Sequence, residues 1–495
     1  MLTNKMAQRS RTKPANSQHD DQEPKHHKHH HVLRSILLLL LIIYTITSMQ
    51  RLLISPHPPP LLLHLDQETK NNLQADHHKQ SNNPTLCSSL IDGSITDVNT
   101  VLCCDRSHER TDVCYMRGKI RTDHNTSTIL ISGPGLDTES SIRAETIRPY
   151  TRKWEAGIMN TIDELTLRPS PSDSLHTACD VMHAVPGVVF STGGYTGNVY
   201  HEFNDGLIPL YITTERFEGE VVLVVLEYHS WWMTKYGSVV EKMSNYEIVD
   251  FRRDRRVHCF SELIVGLKIH GELTIDPYLM PKGNKGINDF QALLNQGLTP
   301  SNPNHFMQSQ VSLSLPLPQE QKPKLTIFIR NKSRVILNLK EVIRACQRVG
   351  FNVQILNPKR STPLSEIHTA LSSSQAMLAV HGAAMTHFLF MQPGSILIQI
   401  VPLGLDWPAE TYYGEPAKKL GLRYMEYKLA KHESSLSKEY DSHDPVLVNP
   451  LVITSKGWSE TKKIYLEKQN VRLNIRRFSK ELARAHCHVY DTKVL

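Results

Sequence analysis

What the 495-residue chain lacks already narrows its chemistry. It holds no G-x-G-x-x-G and no Walker A loop, which argues against NAD and against ATP hydrolysis. Its eight cysteines include no C-x-x-C pair, so disulfides suit them better than zinc, with the pairing left open. No D-x-D closes a hydrophobic strand pattern, so a metal ion would lack the carboxylate pair that commonly seats it on a diphosphate. Neither a metal site nor a cofactor is expected. The net charge of +7 is small for this length and spread out, so no nucleic-acid partner is expected. No internal repeat is evident, and only one run is strongly apolar.

That run, SILLLLLIIYTITSMQ, lies between Arg34 and Arg51. As a helix it spans roughly 24 Å at about 1.5 Å per residue, short for a bilayer unless Leu52 to Ile54 extend it. A thin, early-secretory membrane suits such a span. Lys5, Arg9, Arg11, Lys13, Lys25, Lys28 and Arg34 precede it, with His29, His30 and His31 among them. Residues 1–34 therefore read as a disordered cytosolic tail and 35–54 as a signal anchor, which places the remainder in the lumen. All eight cysteines follow the anchor, where oxidation is possible, and Asn125 and Asn331 open N-x-S/T sequons that a lumenal chain can have glycosylated. Residues 55–100 open with SPHPPP and stay polar, as a stem would.

The length suits two packed domains, expected at 101–305 and 306–495, with a polar break around 298–310. In the first, STILIS, GVVFST, EVVLVVLE and ELIVGLKI read as buried strands, and DGLIPLYITTERF has helical spacing. In the second, strands at 325–330, 351–357, 376–382 and 395–402 alternate with helical patterns, so the fold class is α/β with parallel sheets. Ligands of such sheets bind beyond the carboxyl ends of the strands.

Three segments at those ends carry candidate chemistry. In AVHGAAMTH, the strand runs into His381, Gly382 and Ala383, where glycine permits close backbone approach and a helix N-terminus offers N–H groups to a phosphate. An ordinary strand–helix turn has the same spacing. IRNKSR puts Arg330, Lys332 and Arg334 on one loop, where guanidinium groups fork onto phosphate, unless the loop is merely solvated. In STGGYTGNVYHEFNDGLIP, three glycines precede His201 and Asp205, four apart and so on one helical face. Either is a candidate general base; Asn204 and Asp205 could instead cap the next helix.

Together TGGYTGNVYHEFNDGLIPLYIT, FRRDRRVHCFSELIVGLKIHGEL, IRNKSR, AVHGAAMTHFLFMQPGSILIQIVPLG and DWPAETYYGEPAKKLG resemble glycosyltransferase family 61 of plants, from about Cys87 to His488. The family reads H-D-F-N-D where this chain has His201-Glu202-Phe203-Asn204-Asp205, so Glu202 is given no role. The resemblance implies a GT-B architecture of two Rossmann-like domains, with the acceptor toward the first and a UDP-sugar donor, a substrate rather than a cofactor, in the second. It implies metal-independent inversion with His201 or Asp205 as base. Arg330, Arg334, His381, Gly382 and Ala383 would line the UDP pocket, with Trp407 to Tyr413 beside it. Relatives of this kind transfer xylose or arabinofuranose to xylan in the Golgi membrane, alone or in complex with other Golgi glycosyltransferases. An N-glycan β-1,2-xylosyltransferase and a non-catalytic carbohydrate binder are the alternatives.

Overall fold

The computed structural model describes residues 86–94, 100–133, 143–170, 178–281, 283–299 and 322–491. The expected tail and anchor, most of the stem and the break after 299 lie outside the described residues. Among those described, no helix is long and apolar enough to cross a membrane.

Ten strands form the first sheet: β1 (Val101–Asp105), β2 (Val113–Asp123), β3 (Thr128–Ser132), β4 (Glu145–Ile147), β5 (Leu165–Pro169), β6 (Val181–Met182), β7 (Gly187–Phe190), β8 (Val222–Val225), β9 (Val249–Asp250) and β10 (His258–Val265). The order is β4-β5-β3-β2-β10-β7-β8-β9, with β1 paired to β2 and β6 to β10. This sheet is mixed, which corrects the expectation of a parallel one. The β1–β2 and β2–β3 pairs are antiparallel because their connections, 106–112 and 124–127, are too short for a crossover helix. From β10 through β7 and β8 to β9 the pairing is parallel, and helices fill the β7–β8 and β8–β9 links.

The second sheet contains β11 (Lys324–Phe328), β12 (Asn352–Leu356), β13 (Ala376–Val380), β14 (Ile396–Val401) and β15 (Arg423–Lys428). All pair in parallel, in the order β12-β11-β13-β14-β15. Every residue of β13 and β14 is buried, as unbroken apolar runs covered on both faces require. The long C-terminal helix Ile475–Asp491 lays Phe478, Leu482 and Ala485 on the same core as Val342 and Ala345 of helix Leu339–Val349.

A single apolar cluster joins helices of both sheets. Phe203 meets Phe290 and Phe390 edge-on, with ring centroids 6.4 and 6.0 Å apart. Helix Ile287–Leu298 supplies Phe290 and also buries Gln291, whose Nε2 donates to Leu389 O at 2.8 Å and Met391 O at 2.7 Å. Disulfides link Cys87 to Cys103, Cys104 to Cys114 and Cys179 to Cys259; Cys346 and Cys487 are free. Gln291→Leu keeps the volume but strands two buried carbonyls, so it should lower stability by about 2 to 4 kcal/mol. Chemical denaturation of variant and parent measures this; equal midpoints would show that the bolt is dispensable.

Candidate functional site

The order of the second sheet reverses between β11 and β13, and the crevice beyond that switch point is where such sheets take ligands. Arg330 and Arg334 follow β11; His381 and Gly382 follow β13. Arg334 has left-handed backbone, φ 54°, and its N–H donates to Gln469 O at 2.6 Å. Its side chain then donates through NH1 to His381 O at 2.8 Å. Arg330 is oriented by its own loop, Nε donating to Ser333 O at 3.0 Å. Gly382 sits beneath both at φ 150°. A Cβ there would collide with Arg330 NH1 and lie 3.0 Å from Arg334 NH1, so the close approach requires glycine.

Neither arginine bonds to a carboxylate among the described residues. Burial lowers both guanidinium pKa values, and the charge of Arg330 adds to this at Arg334, pushed down to about 9. Arg334 Nε is buried without a hydrogen-bond partner. Two crowded, poorly compensated cations are costly to hold unless an anion fills the space between their donors. His381 adds no charge: burial, then Arg334 and Arg330, push its imidazole down to about 3. Tyr424 OH donates to Gln399 Oε1 at 2.9 Å, which turns the Gln399 amide NH₂ onto His381 Nδ1 at 2.8 Å. The imidazole proton therefore resides on Nε2. Ala383, half-buried, starts the 3₁₀ helix Ala383–Phe390, and Lys332 is exposed outside the cradle.

On the first half, helix Val199–His201 continues as a π-helical turn, Glu202–Leu207, and then as Ile208–Thr214. Asn198 caps it, accepting from Tyr200 N at 3.1 Å. Asn204 and Asp205 therefore lie inside the helix rather than capping it. Asp205 is 1% exposed, so it cannot itself meet an acceptor hydroxyl. It lies 2.6 Å from His201 Nδ1, and accepts from Arg152 Nε at 2.8 Å and Asn204 Nδ2 at 2.7 Å. Tyr150 OH stands at 3.4 Å and Arg110 NH2 at 3.7 Å. Burial pushes the Asp205 carboxyl up, but the His201 bond and the Arg152 charge together outweigh it and hold the group below its ordinary range. Arg152 NH2 also lies 3.1 Å from His201 Nδ1, but the ionised carboxylate can only accept, so its shorter 2.6 Å contact requires the proton on Nδ1 and leaves Nε2 as the acceptor nitrogen. Tyr195 stacks on the imidazole at 4.1 Å.

The two groups face one another across tyrosines. Tyr200 is 5.4 Å from Tyr412 and 6.1 Å from Tyr413, and Tyr413 is 5.3 Å from His381, all between ring centroids. Arg360, on the loop after β12, also reaches the first half, its guanidinium 3.7 Å from the Trp231 ring centroid and beside Gly197. A hollow of about 800 Å³ lined by Lys322, Lys324 and Asn352 opens at the opposite, amino ends of the strands, away from both groups. Sequence reasoning missed Tyr150, Arg152 and Arg110, whereas Tyr413 closes the Trp407 to Tyr413 turn that the resemblance put beside the pocket. Arg152 lies 53 positions from the carboxylate it holds, and no local spacing signals such a contact. Asn125, in the β2–β3 turn, and Asn331, between the two arginines, are both exposed. Among the described residues no three of His, Cys, Asp and Glu converge on a point that could hold a metal ion.

Residues 290–398, which include the whole anion cradle, match the family model described as Glycosyltransferase 61. The chain is a glycosyltransferase. It is 51% identical over 388 residues to the xylan glycosyltransferase MUCI21 of Arabidopsis thaliana, covering 77% of this chain and 78% of that one. It is 36% identical to the β-1,2-xylosyltransferase XYXT1 of Oryza sativa subsp. japonica, over 81% of this chain and 89% of that one. The α-1,3-arabinosyltransferase XAT2 of the same rice is also 36% identical, over 76% of this chain and 62% of that one. The chain belongs to glycosyltransferase family 61.

Glu202, given no role from the sequence, proves to be a tie-bar. It is buried and accepts from Gly197 N–H and from the Trp232 indole N–H, so it fastens the glycine-rich turn to helix Ser230–Val240. Burial raises its pKa from the ordinary 4.5 to about 7, although both donors pull the other way. The native state then holds an extra proton between those values. The stability this contributes is complete below about pH 4.5 and is lost as pH rises through about 7, a change of about 3 kcal/mol. Thermal midpoints measured from pH 4.5 to 8 should fall more steeply for the parent than for Glu202→Gln. Parallel curves would remove Glu202 as the cause.

Proposed function

We propose that this enzyme transfers a pentose from a UDP-sugar to xylan, inverting the anomeric carbon without a metal ion, in a GT-B-like arrangement whose second half binds the donor. The observation that carries the reading is the pair of buried arginines around Gly382 with no carboxylate bonded to either among the described residues. A diphosphate supplies the missing charge and acceptors for the unused donors. His201 Nε2 takes the proton of an acceptor hydroxyl while that oxygen attacks the anomeric carbon. The bond to UDP breaks, and the charge released onto the diphosphate is met by Arg330 and Arg334. Asp205 acts through His201: it fixes the tautomer and offsets the imidazolium as it forms. The xylan acceptor and the pentose donor are supported by the names of the relatives, which include both xylosyl- and arabinosyltransferases. The anchor expected at 35–54 supports a type II Golgi membrane protein with a lumenal body, and Asn125 and Asn331 as its glycosylation sites.

The test is transfer by the full chain in detergent, from UDP-xylose and UDP-arabinofuranose to xylo-oligosaccharides, with EDTA present. Product from one donor supports the reading. No product from either, or a strict need for added manganese, overturns it.

Two sets of variants separate the parts. Arg330→Ala and Arg334→Ala should each weaken UDP binding about tenfold or more by calorimetry, because a charge-assisted hydrogen bond is worth about 1.5 to 3 kcal/mol. Lysine should restore only part of this, since it keeps charge but loses the fork. Unchanged affinity in both alanine variants would place the diphosphate elsewhere.

His201→Ala should lower kcat by about 10² to 10⁴ with UDP affinity kept. Asp205→Asn should also lower kcat and shift the acidic limb of its pH profile, where a general base is lost by protonation, to lower pH. Normal turnover in both would assign the base to another group.

A further inference from the structure

The loop that clamps Asp205 carries a residue which the proposed transfer leaves unused. Trp154 follows Arg152 by two positions and is 50% exposed. Singly exposed apolar side chains are ordinary, so exposure alone decides nothing. What distinguishes Trp154 is how firmly it is held, and where.

Its backbone neighbours are pinned on both sides. Lys153 N donates to Arg110 O at 3.0 Å, and Glu155 N to Arg152 O at 2.8 Å. Its ring lies 5.1 Å from the Arg110 guanidinium and 5.0 Å from that of Arg152. These cations are fixed in turn, Arg110 on Glu272 at 2.9 Å and Arg152 on both Asp205 and Glu155 at 2.8 and 2.7 Å. The indole is therefore preorganised by the same bonds that orient the candidate base. Ring contacts also run on from it. Arg152 reaches Tyr195, which stacks on His201; Tyr200, Tyr412 and Trp407 continue the series, and Trp407 is 52% exposed. A strip of rings thus crosses the cleft with His201 near its middle and an open tryptophan at either end. The Trp407 end belongs to the donor half, and the Trp154 end to the half that carries the base.

A pyranose presents a face of C–H groups that packs flat on an aromatic plane, with its hydroxyls turned outward. A rigid, half-exposed indole beside the base has the shape and wetness for that contact. We propose that Trp154 is the stacking platform for a sugar residue of the acceptor chain, neighbouring the one whose hydroxyl His201 deprotonates. The inference rests on the reading of the acceptor as a polysaccharide. It makes Trp154 a positioning residue that senses acceptor length, because a monosaccharide cannot fill both the platform and the reacting position.

The experiment pairs kinetics with binding, using the full chain and acceptors from xylose through xylohexaose. Trp154→Ala should raise KM for xylohexaose about tenfold with little change for xylose, leaving UDP affinity unaltered. Trp154→Phe should recover much of the loss, since it keeps a flat ring. A KM unchanged at every length, or raised equally at every length, overturns the platform. Calorimetry with xylohexaose requires no turnover and separates this inference from the proposed function. Binding that is weakened in Trp154→Ala, by a parent that transfers nothing, supports the platform and sinks the transfer reaction. Binding equal in parent and variant sinks the platform alone, and a parent that binds no xylohexaose sinks both.

Discussion

The Asp205 carboxylate is contacted by groups from three stretches of chain that are far apart in sequence. Tyr150 and Arg152 come from the loop after β4, His201 and Asn204 from its own helix, and Arg110 from the β1–β2 connection. Thr151 Oγ1 adds a bond to its backbone carbonyl at 3.0 Å. A carboxylate this deeply buried would be a liability alone; with so many donors it becomes the point through which the first half is aligned. Asn204 extends the alignment by accepting from Leu273 N at 2.7 Å, which fixes the chain beyond β10. The position of His201, the tilt of Arg152 and the presentation of Trp154 all follow from satisfying that one negative charge.

The second half is built on the opposite imbalance. Its arginines are buried with their charge left nearly uncompensated, and a left-handed Arg334 backbone and a glycine that only just clears both guanidiniums hold them in place. Neighbouring groups are kept neutral, His381 by burial and Tyr413 by a hydroxyl pKa driven far upward. Among the described residues, the hydrogen bonds of both guanidiniums go to backbone carbonyls, and no side chain accepts from them. Such an arrangement costs stability in the empty protein and returns it when an anion arrives, which makes affinity and fold mutually dependent at this spot.

The sequence displays the second sheet more clearly than the first, for a physical reason. Strands β13 and β14 are covered on both faces and so read as continuous apolar runs, each separated from the next by a helical pattern. The cradle was visible with them, because Arg330 and Gly382 follow directly from strands whose ends can be counted. The first sheet mixes hairpins with crossovers, and a strand such as β2, eleven residues with alternating exposure toward its end, carries no mark of its partners' direction. The His201–Asp205 pairing was legible because it is local to one helix. The clamp formed by Tyr150 and Arg152 was not, since its only signature is a tertiary contact. Glu202 looked like a mere variant of a shorter acid; its extra reach is what lets it tie Gly197 to Trp232.

These opposite imbalances suit a displacement in which a proton leaves one side while negative charge collects on the other. In the proposed reaction the imidazolium forms next to an ionised Asp205, and the leaving diphosphate gains charge next to the arginines. Each half is therefore charged in advance for the species that develops against it, so little reorganisation is needed at the moment of transfer. The tyrosines between the halves keep the two charge systems apart: Tyr200, Tyr412 and Tyr413 all have hydroxyl pKa values raised chiefly by burial, so they stay neutral. Were one of them to ionise, its charge would offset the guanidiniums and weaken the hold on the leaving group. Burial of these hydroxyls thus contributes to chemistry as well as to packing: it preserves the unmet positive charge on which the second half's affinity for an anion rests.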